Sequence, residues 1–116
     1  MNLNRVLHLV ARVALRAAPP IRAKRAVDLL AAALPPLTST EDALRAYLAL
    51  GAAGTCLSRA LTIAARFPKS EVVIGLSTAP TPGPFAAHAW VEHGGETIDP
   101  RPDQRLEPRT EIARFR

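Results

Sequence analysis

The sequence predicts an α+β fold in which helices come first and a small antiparallel sheet follows. Up to Arg66, apolar residues recur every three or four positions, which is typical of helices packed on one face. After Ser70 the apolar segments are short, rich in β-branched residues and bounded by glycine or proline, which is typical of strands. The chain has 116 residues and 48% of them are hydrophobic, so we expect a single domain over residues 1–116.

The first two helices carry the excess charge of the chain. Prolines end them, at Pro19-Pro20 and at Pro35-Pro36. Residues 1–36 hold six basic groups and one acidic group, a balance of +5, whereas residues 37–116 hold nine of each. This basic N-terminal part could bind a polyanion or an acidic partner, or it could be a solvated arginine face. We expect it to serve docking rather than chemistry.

Capping residues mark the start of the third and fourth helices. Ser39 opens the third helix, which closes at Gly51. Thr55 is the predicted N-cap of the fourth helix, which runs from Cys56 to Arg66. The apolar stripe of this fourth helix predicts that it packs against the sheet as the central helix of the fold. Its polar residues are expected to face outward: Ser58, Arg59, Thr62 and Arg66.

Three strands are predicted, and the turn between the last two sets their register. The strands are Glu71–Leu76, Ala86–His93 and Glu96–Asp99, with an exposed loop over 77–84 and no element in the tail from Arg101. If Gly94-Gly95 forms a two-residue turn, His93 pairs with Glu96. Asp99 then lies on the same face as His88 and diagonally across from it, within reach of its side chain. A three-residue loop would reverse this parity.

Cys56, His88 and Asp99 together form a candidate nucleophile, base and orienting group. A thiol at a helix N-terminus lies beside backbone N–H groups and the positive end of the helix dipole, and both favour the thiolate. A carboxylate beside the imidazole would fix its tautomer and stabilise its cation. Each residue also has a plainer interpretation: a buried structural thiol, a histidine on the wetter face of its strand, and an aspartate that ends a strand before proline.

Residues beside these three are candidates for substrate binding. Gly54, just before the fourth helix, would let a substrate approach the backbone closely, and Thr55 adjoins it. Trp90 shares the predicted face of His88, where it could form a wall of a substrate groove or simply cover the core. His8, on the basic face of the first helix, is assigned no role.

The same motifs resemble a known family, the transglutaminase-like (papain-like) cysteine peptidases. The similarity lies in Cys56–Leu61, Val73–Leu76, His88–Glu92 and Asp99. It spans roughly residues 38–100, and its most specific part is the string His-Ala-Trp-Val-Glu after a helix that begins Cys-Leu-x-Arg. More narrowly, the chain resembles the stand-alone leader peptidases of lasso-peptide biosynthesis.

This resemblance implies a cysteine-peptidase core over 37–116, with Cys56 as the nucleophile, His88 as the base and Asp99 as the orienting group. It implies a ribosomally made precursor peptide as the substrate, cut between leader and core, often after a threonine near the leader's end. It further implies two partners, a small leader-recognition protein and an ATP-dependent lasso cyclase. The same triad could pass the acyl group to an amine instead of water, and the residues do not distinguish these outcomes.

Composition excludes several other classes of protein. The single cysteine excludes an internal disulfide framework and a CxxC-type zinc site, and we expect neither metal nor cofactor. No segment reaches the roughly 18 apolar residues that a membrane span needs, so we expect a cytoplasmic protein. The non-catalytic alternative is a basic module that binds nucleic acid or an acidic protein. An aromatic content of 4% argues against single-strand binding, and we expect no nucleic-acid partner.

Overall fold

The computed structural model of the protein describes residues 3–51, 54–77, 87–99 and 109–116. The described residues form four helices: α1 (Leu3–Ala17), α2 (Pro20–Ala31), α3 (Thr40–Ala49) and α4 (Cys56–Arg66). Pro19 and Pro20 lie at the boundary between the first two helices. Pro20 is tolerated in the first turn of α2 because an N–H at that position would have no partner within the helix. The predicted caps of the other two are confirmed. Ser39 accepts a hydrogen bond from the Asp42 N–H, and Thr55 caps α4.

The described strands form one antiparallel sheet, and the predicted α+β class is confirmed. The strands are β1 (Glu71–Ser77), β2 (Ala87–His93), β3 (Glu96–Ile98) and β4 (Arg109–Phe115), in the spatial order β3-β2-β1-β4. The strands β2 and β3 form a hairpin. Residues 78–86, which include most of the predicted loop and the first residue of the predicted second strand, lie outside the described part of the chain, as do residues 100–108.

The strand β4 corrects the prediction that the tail forms no element. It pairs with β1 along its length, with a bulge at Ile74/Gly75. Its sequence has no regular alternation of apolar and polar residues that would have indicated a strand: among its described side chains Glu111 and Arg114 are charged, and Ile112 is exposed. Those charges reach across the sheet instead: Arg114 forms ion pairs with Glu71 (3.5 Å) and Glu92 (2.9 Å).

The helix α4 lies at the centre of the fold, between the other helices and the sheet. It contacts α1, α2 and α3 as well as β1 and β2. Its apolar side chains are buried in the core: Ala60, Leu61, Ile63 and Ala64. The prediction that Ser58 and Thr62 face outward is wrong, since both side chains are buried where α1 packs on that face. The Thr62 hydroxyl is satisfied there by donating to the Ser58 carbonyl (2.8 Å).

The outer faces of the first two helices keep several large apolar side chains at the surface. Leu9 and Val13 on α1 are exposed, as are Ile21, Leu29 and Leu30 on α2. Even so, no helix in the described ranges is long and apolar enough to cross a bilayer.

Candidate active site

A reciprocal capping box fixes the start of α4. The hydroxyl of Thr55 accepts from the Ser58 N–H (3.1 Å), and the hydroxyl of Ser58 accepts from the Thr55 N–H (3.0 Å). Arg59 adds a second tie, because its guanidinium donates to the carbonyls of Thr55 (3.3 Å) and Gly51 (2.9 Å). These contacts hold Cys56 as the first residue of the helix, where the helix dipole favours a negative charge on sulfur.

The sulfur of Cys56 lies against the second strand. The backbone N–H of Ala89 donates to Cys56 Sγ at 3.4 Å. The short length of β3 makes this possible: its last pair joins Ile98 to Val91, so β3 ends before it would cover Ala89. The N-terminus of α4 therefore meets β2 at the place that β3 leaves open, and an N–H donor to sulfur favours the thiolate over the thiol.

His88 and Asp99 are brought together by the hairpin, as its register predicts. Gly94 and Gly95 both have positive φ, 58° and 84°, as a two-residue type I′ turn requires. The turn pairs His93 with the first residue of β3, and Asp99 follows directly after that strand. His88 Nε2 lies 2.8 Å from Asp99 Oδ2, and the exposed fractions of the two residues are 8% and 1%.

This pairing also sets the chemistry of the imidazole. A carboxylate accepts hydrogen bonds, so Asp99 holds the proton of His88 on Nε2. In the neutral ring Nδ1 is then the unprotonated nitrogen, the one that can accept a proton. The prediction that His88 lies on the wetter face of its strand is wrong, because β2 buries its side chains on both faces.

Trp90 covers His88 and is itself held in place. The two rings stack with centroids 5.9 Å apart and planes inclined by 23°. The indole N–H donates to Glu92 Oε2 (2.8 Å), and Glu92 Oε1 accepts from Arg114 of β4 (2.9 Å). Hydrogen bonds to Glu111 and Glu92 raise the pKa of Arg114, so its charge is permanent. Trp90 is 5% exposed, and its contacts orient the imidazole.

His8 of α1 is a residue that sequence reasoning missed. Its side chain is 4% exposed, and Nε2 lies 2.8 Å from Ser58 Oγ, inside the capping box of α4. Burial lowers the pKa of His8, and the charges of Arg12 and Arg59 lower it further, so the ring is neutral at pH 7. The contact spans 50 residues of sequence, and no local pattern signals it.

Gly54 makes room for that contact. A Cβ at Gly54 would lie 2.5 Å from Ser58 Oγ and 2.7 Å from His8 Nε2, and the residue has a φ of +72°. Both the space and the backbone conformation therefore require glycine. That Gly54 lets a substrate approach the backbone closely stays a prediction. In the structure, the groups that approach Gly54 closely are the side chains of His8 and Ser58.

The described residues thus bring Cys56, His88 and Asp99 to one place, with Trp90, Gly54 and Thr55 around them. The arrangement consists of a thiol at a helix start, an imidazole on a neighbouring strand and a carboxylate hydrogen-bonded to that imidazole. Within the described ranges, no group of three or more His, Cys, Asp or Glu side chains is arranged to hold a metal ion.

Comparison with known protein families matches residues 3–111 to the transglutaminase-like superfamily. No curated protein and no solved structure gives a significant match. The family match includes α1 and α2 as well as the helix and strands that carry the site. Because the match extends over nearly the whole length of the sequence, the chain belongs to the transglutaminase-like superfamily.

Proposed function

We propose that this protein is a cysteine peptidase that removes the leader from a ribosomally made precursor peptide in lasso-peptide maturation. Members of the transglutaminase-like superfamily are usually cysteine peptidase-like or acyltransferase-like, which supports the reaction class. The narrower substrate class rests on the resemblance of the His88–Glu92 string and the Cys56 helix to lasso leader peptidases.

The observation that best supports a cysteine-peptidase reaction is the pair of contacts made by Ala89 and His88. Ala89 donates its backbone N–H to Cys56 Sγ, and its neighbour His88 is hydrogen-bonded to Asp99. These two contacts place a thiol next to an imidazole of defined tautomer and its carboxylate partner, which supports their proposed roles as nucleophile, base and orienting group.

In the first half of the reaction, His88 Nδ1 takes the proton of the Cys56 thiol, and the thiolate attacks the scissile carbonyl carbon. A C–S bond forms and the carbonyl oxygen becomes an oxyanion. The backbone N–H of Cys56, at the first position of α4, is the proposed oxyanion donor because the helix N-terminus stabilises negative charge there. Collapse of this intermediate breaks the C–N bond, and His88 returns its proton to the leaving amine.

In the second half, water hydrolyses the thioester. His88 takes a proton from water, the hydroxide adds to the acyl carbon, and the C–S bond breaks as His88 returns that proton to the sulfur of Cys56. The acid product leaves as a carboxylate after losing its proton to solvent. Asp99 stabilises the imidazolium in both halves without itself being protonated. An amine in place of water would give acyl transfer by the same steps.

The proposed partners follow from the substrate class. A small leader-recognition protein would present the precursor, and the ATP-dependent lasso cyclase would use the released core peptide. The basic N-terminal part, residues 1–36, is the proposed docking surface, because it carries the whole +5 excess of charge. Docking of this kind accelerates association and weakens with salt.

The test uses the purified full chain with its candidate precursor peptide and, where its gene is adjacent, the leader-recognition protein. Mass spectrometry is expected to detect separated leader and core, and Cys56→Ala is expected to abolish cleavage while the variant stays folded and binds the precursor. Cleavage by Cys56→Ala at an undiminished rate would disprove the cysteine-peptidase mechanism.

Isotopic labelling separates hydrolysis from acyl transfer in the same assay. In water enriched in ¹⁸O, hydrolysis places one labelled oxygen in the new leader carboxylate. Acyl transfer instead joins the leader to an amine, so the leader gains the mass of that amine less one water and carries no label. The second result would replace the peptidase assignment with the acyltransferase alternative while retaining the triad.

A further inference from the structure

A cavity of about 380 Å³ opens beside the start of α4. Its walls come from two elements: Arg12, Leu15 and Arg16 of α1, and Gly54, Thr55 and Ser58 of the segment that begins α4. Since a water occupies about 30 Å³ of liquid, the space is that of about a dozen waters, enough for a side chain of a bound peptide.

The cavity is strongly electropositive. Arg12 and Arg16 lie one turn apart on α1 and both are exposed. Across the described residues, no carboxylate forms an ion pair with either guanidinium. Arg59 lies close enough for its charge and that of Arg12 to lower the pKa of His8, and the N-terminus of α4 adds the positive end of its dipole.

The cavity lies at the same end of α4 as the proposed nucleophile, one residue away along the chain. Thr55 forms part of its wall and is bonded directly to Cys56, and successive Cα atoms are about 3.8 Å apart. An extended peptide rises about 3.4 Å per residue, so a side chain within two or three residues of the scissile bond would reach the arginines. The aliphatic wall at Leu15 suits the methylene groups of such a side chain.

We propose that this cavity is a specificity subsite that binds a carboxylate side chain of the substrate peptide, an Asp or Glu close to the scissile bond, through Arg12 and Arg16. The proposal rests on the proposed peptidase function. Guanidinium groups bind carboxylates through paired N–H···O hydrogen bonds. Two guanidiniums at one mouth, neither of them ion-paired within the described part of the chain, therefore favour an acidic side chain over a neutral one.

The experiment measures alkylation of Cys56, the only thiol in the sequence, because alkylation requires no peptidase turnover. The probes are N-bromoacetyl-glutamic acid α-amide and N-bromoacetyl-glutamine α-amide, which have nearly the same shape and differ by one negative charge. We expect the acidic reagent to react about tenfold faster at low salt, with a preference that shrinks as salt is added.

Two double variants locate the preference. Arg12→Gln/Arg16→Gln is expected to remove it, whereas Arg22→Gln/Arg25→Gln, which removes the same charge from α2, is expected to keep it. Equal loss in both variants would attribute the preference to net charge and overturn the subsite. Equal rates for the two reagents with the wild-type protein would overturn the subsite as well. That is the result expected if the arginines serve only to dock an acidic protein.

A phosphate titration separates a substrate carboxylate from a free anion. Inorganic phosphate, followed by calorimetry, is expected to bind weakly, on the order of millimolar. Micromolar binding that disappears in Arg12→Gln/Arg16→Gln would identify a free anion as the occupant and overturn the proposal. Failure of the subsite leaves precursor cleavage by Cys56 untouched. Failure of the peptidase proposal would be recognised by a different result, namely precursor cleavage that persists in Cys56→Ala.

Discussion

His88 and Asp99 are joined across the hairpin of β2 and β3 by a hydrogen bond of 2.8 Å between Nε2 and Oδ2, in a position where both side chains are buried. An aspartate with 1% exposure needs a partner, because an unpaired buried carboxylate is strongly disfavoured. The imidazole supplies that partner and in return is fixed in one tautomer. The turn at Gly94-Gly95 is thus the feature of the sequence that places Nε2 against Asp99 and leaves Nδ1 as the nitrogen for the base of the proposed mechanism.

Replacing His88 or Asp99 is expected to reduce precursor cleavage to different extents. His88→Ala removes the base and is expected to lower the rate by about 10²–10⁴-fold, the usual contribution of general acid–base catalysis. Asp99→Asn is expected to be milder, since the amide still contacts the imidazole while the charge that stabilises imidazolium is lost. Single-turnover rates by mass spectrometry check both. A fully active Asp99→Ala would spare Cys56 as nucleophile but exclude Asp99 from the mechanism.

The thiol of Cys56 offers a second measure of the same arrangement. Iodoacetamide alkylation followed across pH reports the thiolate fraction, and an ordinary thiol has a pKa of about 8.5. We expect the wild-type profile to titrate below that value and to move upward in His88→Ala, because the imidazolium that stabilises the thiolate is gone. A profile at 8.5 or above in both proteins would indicate an inert structural cysteine.

The parts of this structure that sequence reasoning reached are those with a local signal. Thr55 as N-cap, the Gly94-Gly95 turn and the pairing of Asp99 with His88 each follow from residue types within a dozen positions. The contact of His8 and the strand β4 were not predicted because their partners are distant in sequence. His8 contacts Ser58 across 50 residues, and the sequence of β4 has no regular alternation of apolar and polar residues.

Acid is expected to destabilise the protein through His8. Burial, and then the charges of Arg12 and Arg59, lower its folded-state pKa below the ordinary value of 6.5. As pH falls through 6.5, the unfolded chain binds a proton that the folded chain resists, so the free energy of unfolding decreases until the folded pKa is passed. Above 6.5 this contribution is constant and fully present.

The variant His8→Gln isolates that effect. Glutamine cannot titrate but can still hydrogen-bond to Ser58, so its free energy of unfolding is expected to fall less between pH 7.5 and pH 5.5. Urea denaturation at both pH values gives the difference, in which the contributions of all other groups cancel. An identical fall in the two proteins would show that His8 titrates normally in the folded state.

Gly54 is expected to be intolerant of a side chain. Gly54→Ala combines left-handed strain, about 1–2 kcal/mol, with overpacking against Ser58 and His8, typically about 1–3 kcal/mol more. Gly51→Ala is the matched control, since Gly51 has a similar φ of +66° and nothing within 4 Å of the added Cβ. Chemical denaturation is expected to rank Gly54→Ala well below Gly51→Ala. Equal losses would mean that His8 and Ser58 can shift without cost.

Glu92 is expected to control the environment of Trp90, the only tryptophan of the sequence and therefore a specific fluorescent reporter. Glu92→Ala removes the acceptor of the indole N–H, so we expect emission to shift to the red as water reaches the ring. Glu92→Gln retains an amide oxygen that can accept, and its emission is expected to stay close to wild type. Because the indole stacks on His88, we also expect Cys56 alkylation to be slower in Glu92→Ala and close to the wild-type rate in Glu92→Gln.

Arg114→Ala distinguishes this orienting role from simple loss of the β4 ion pairs. Arg114 is partly exposed, so its pairs with Glu71 and Glu92 contribute at most about 1 kcal/mol to stability. The substitution leaves the bond between the indole and Glu92 intact, and Trp90 emission and Cys56 reactivity are expected to change little. If Arg114→Ala reproduced the red shift and the slower alkylation of Glu92→Ala, the position of Trp90 would depend on β4 as a whole. Glu92 alone would then not hold Trp90 in place, and the orientation of His88 would depend on the edge strand β4 as well.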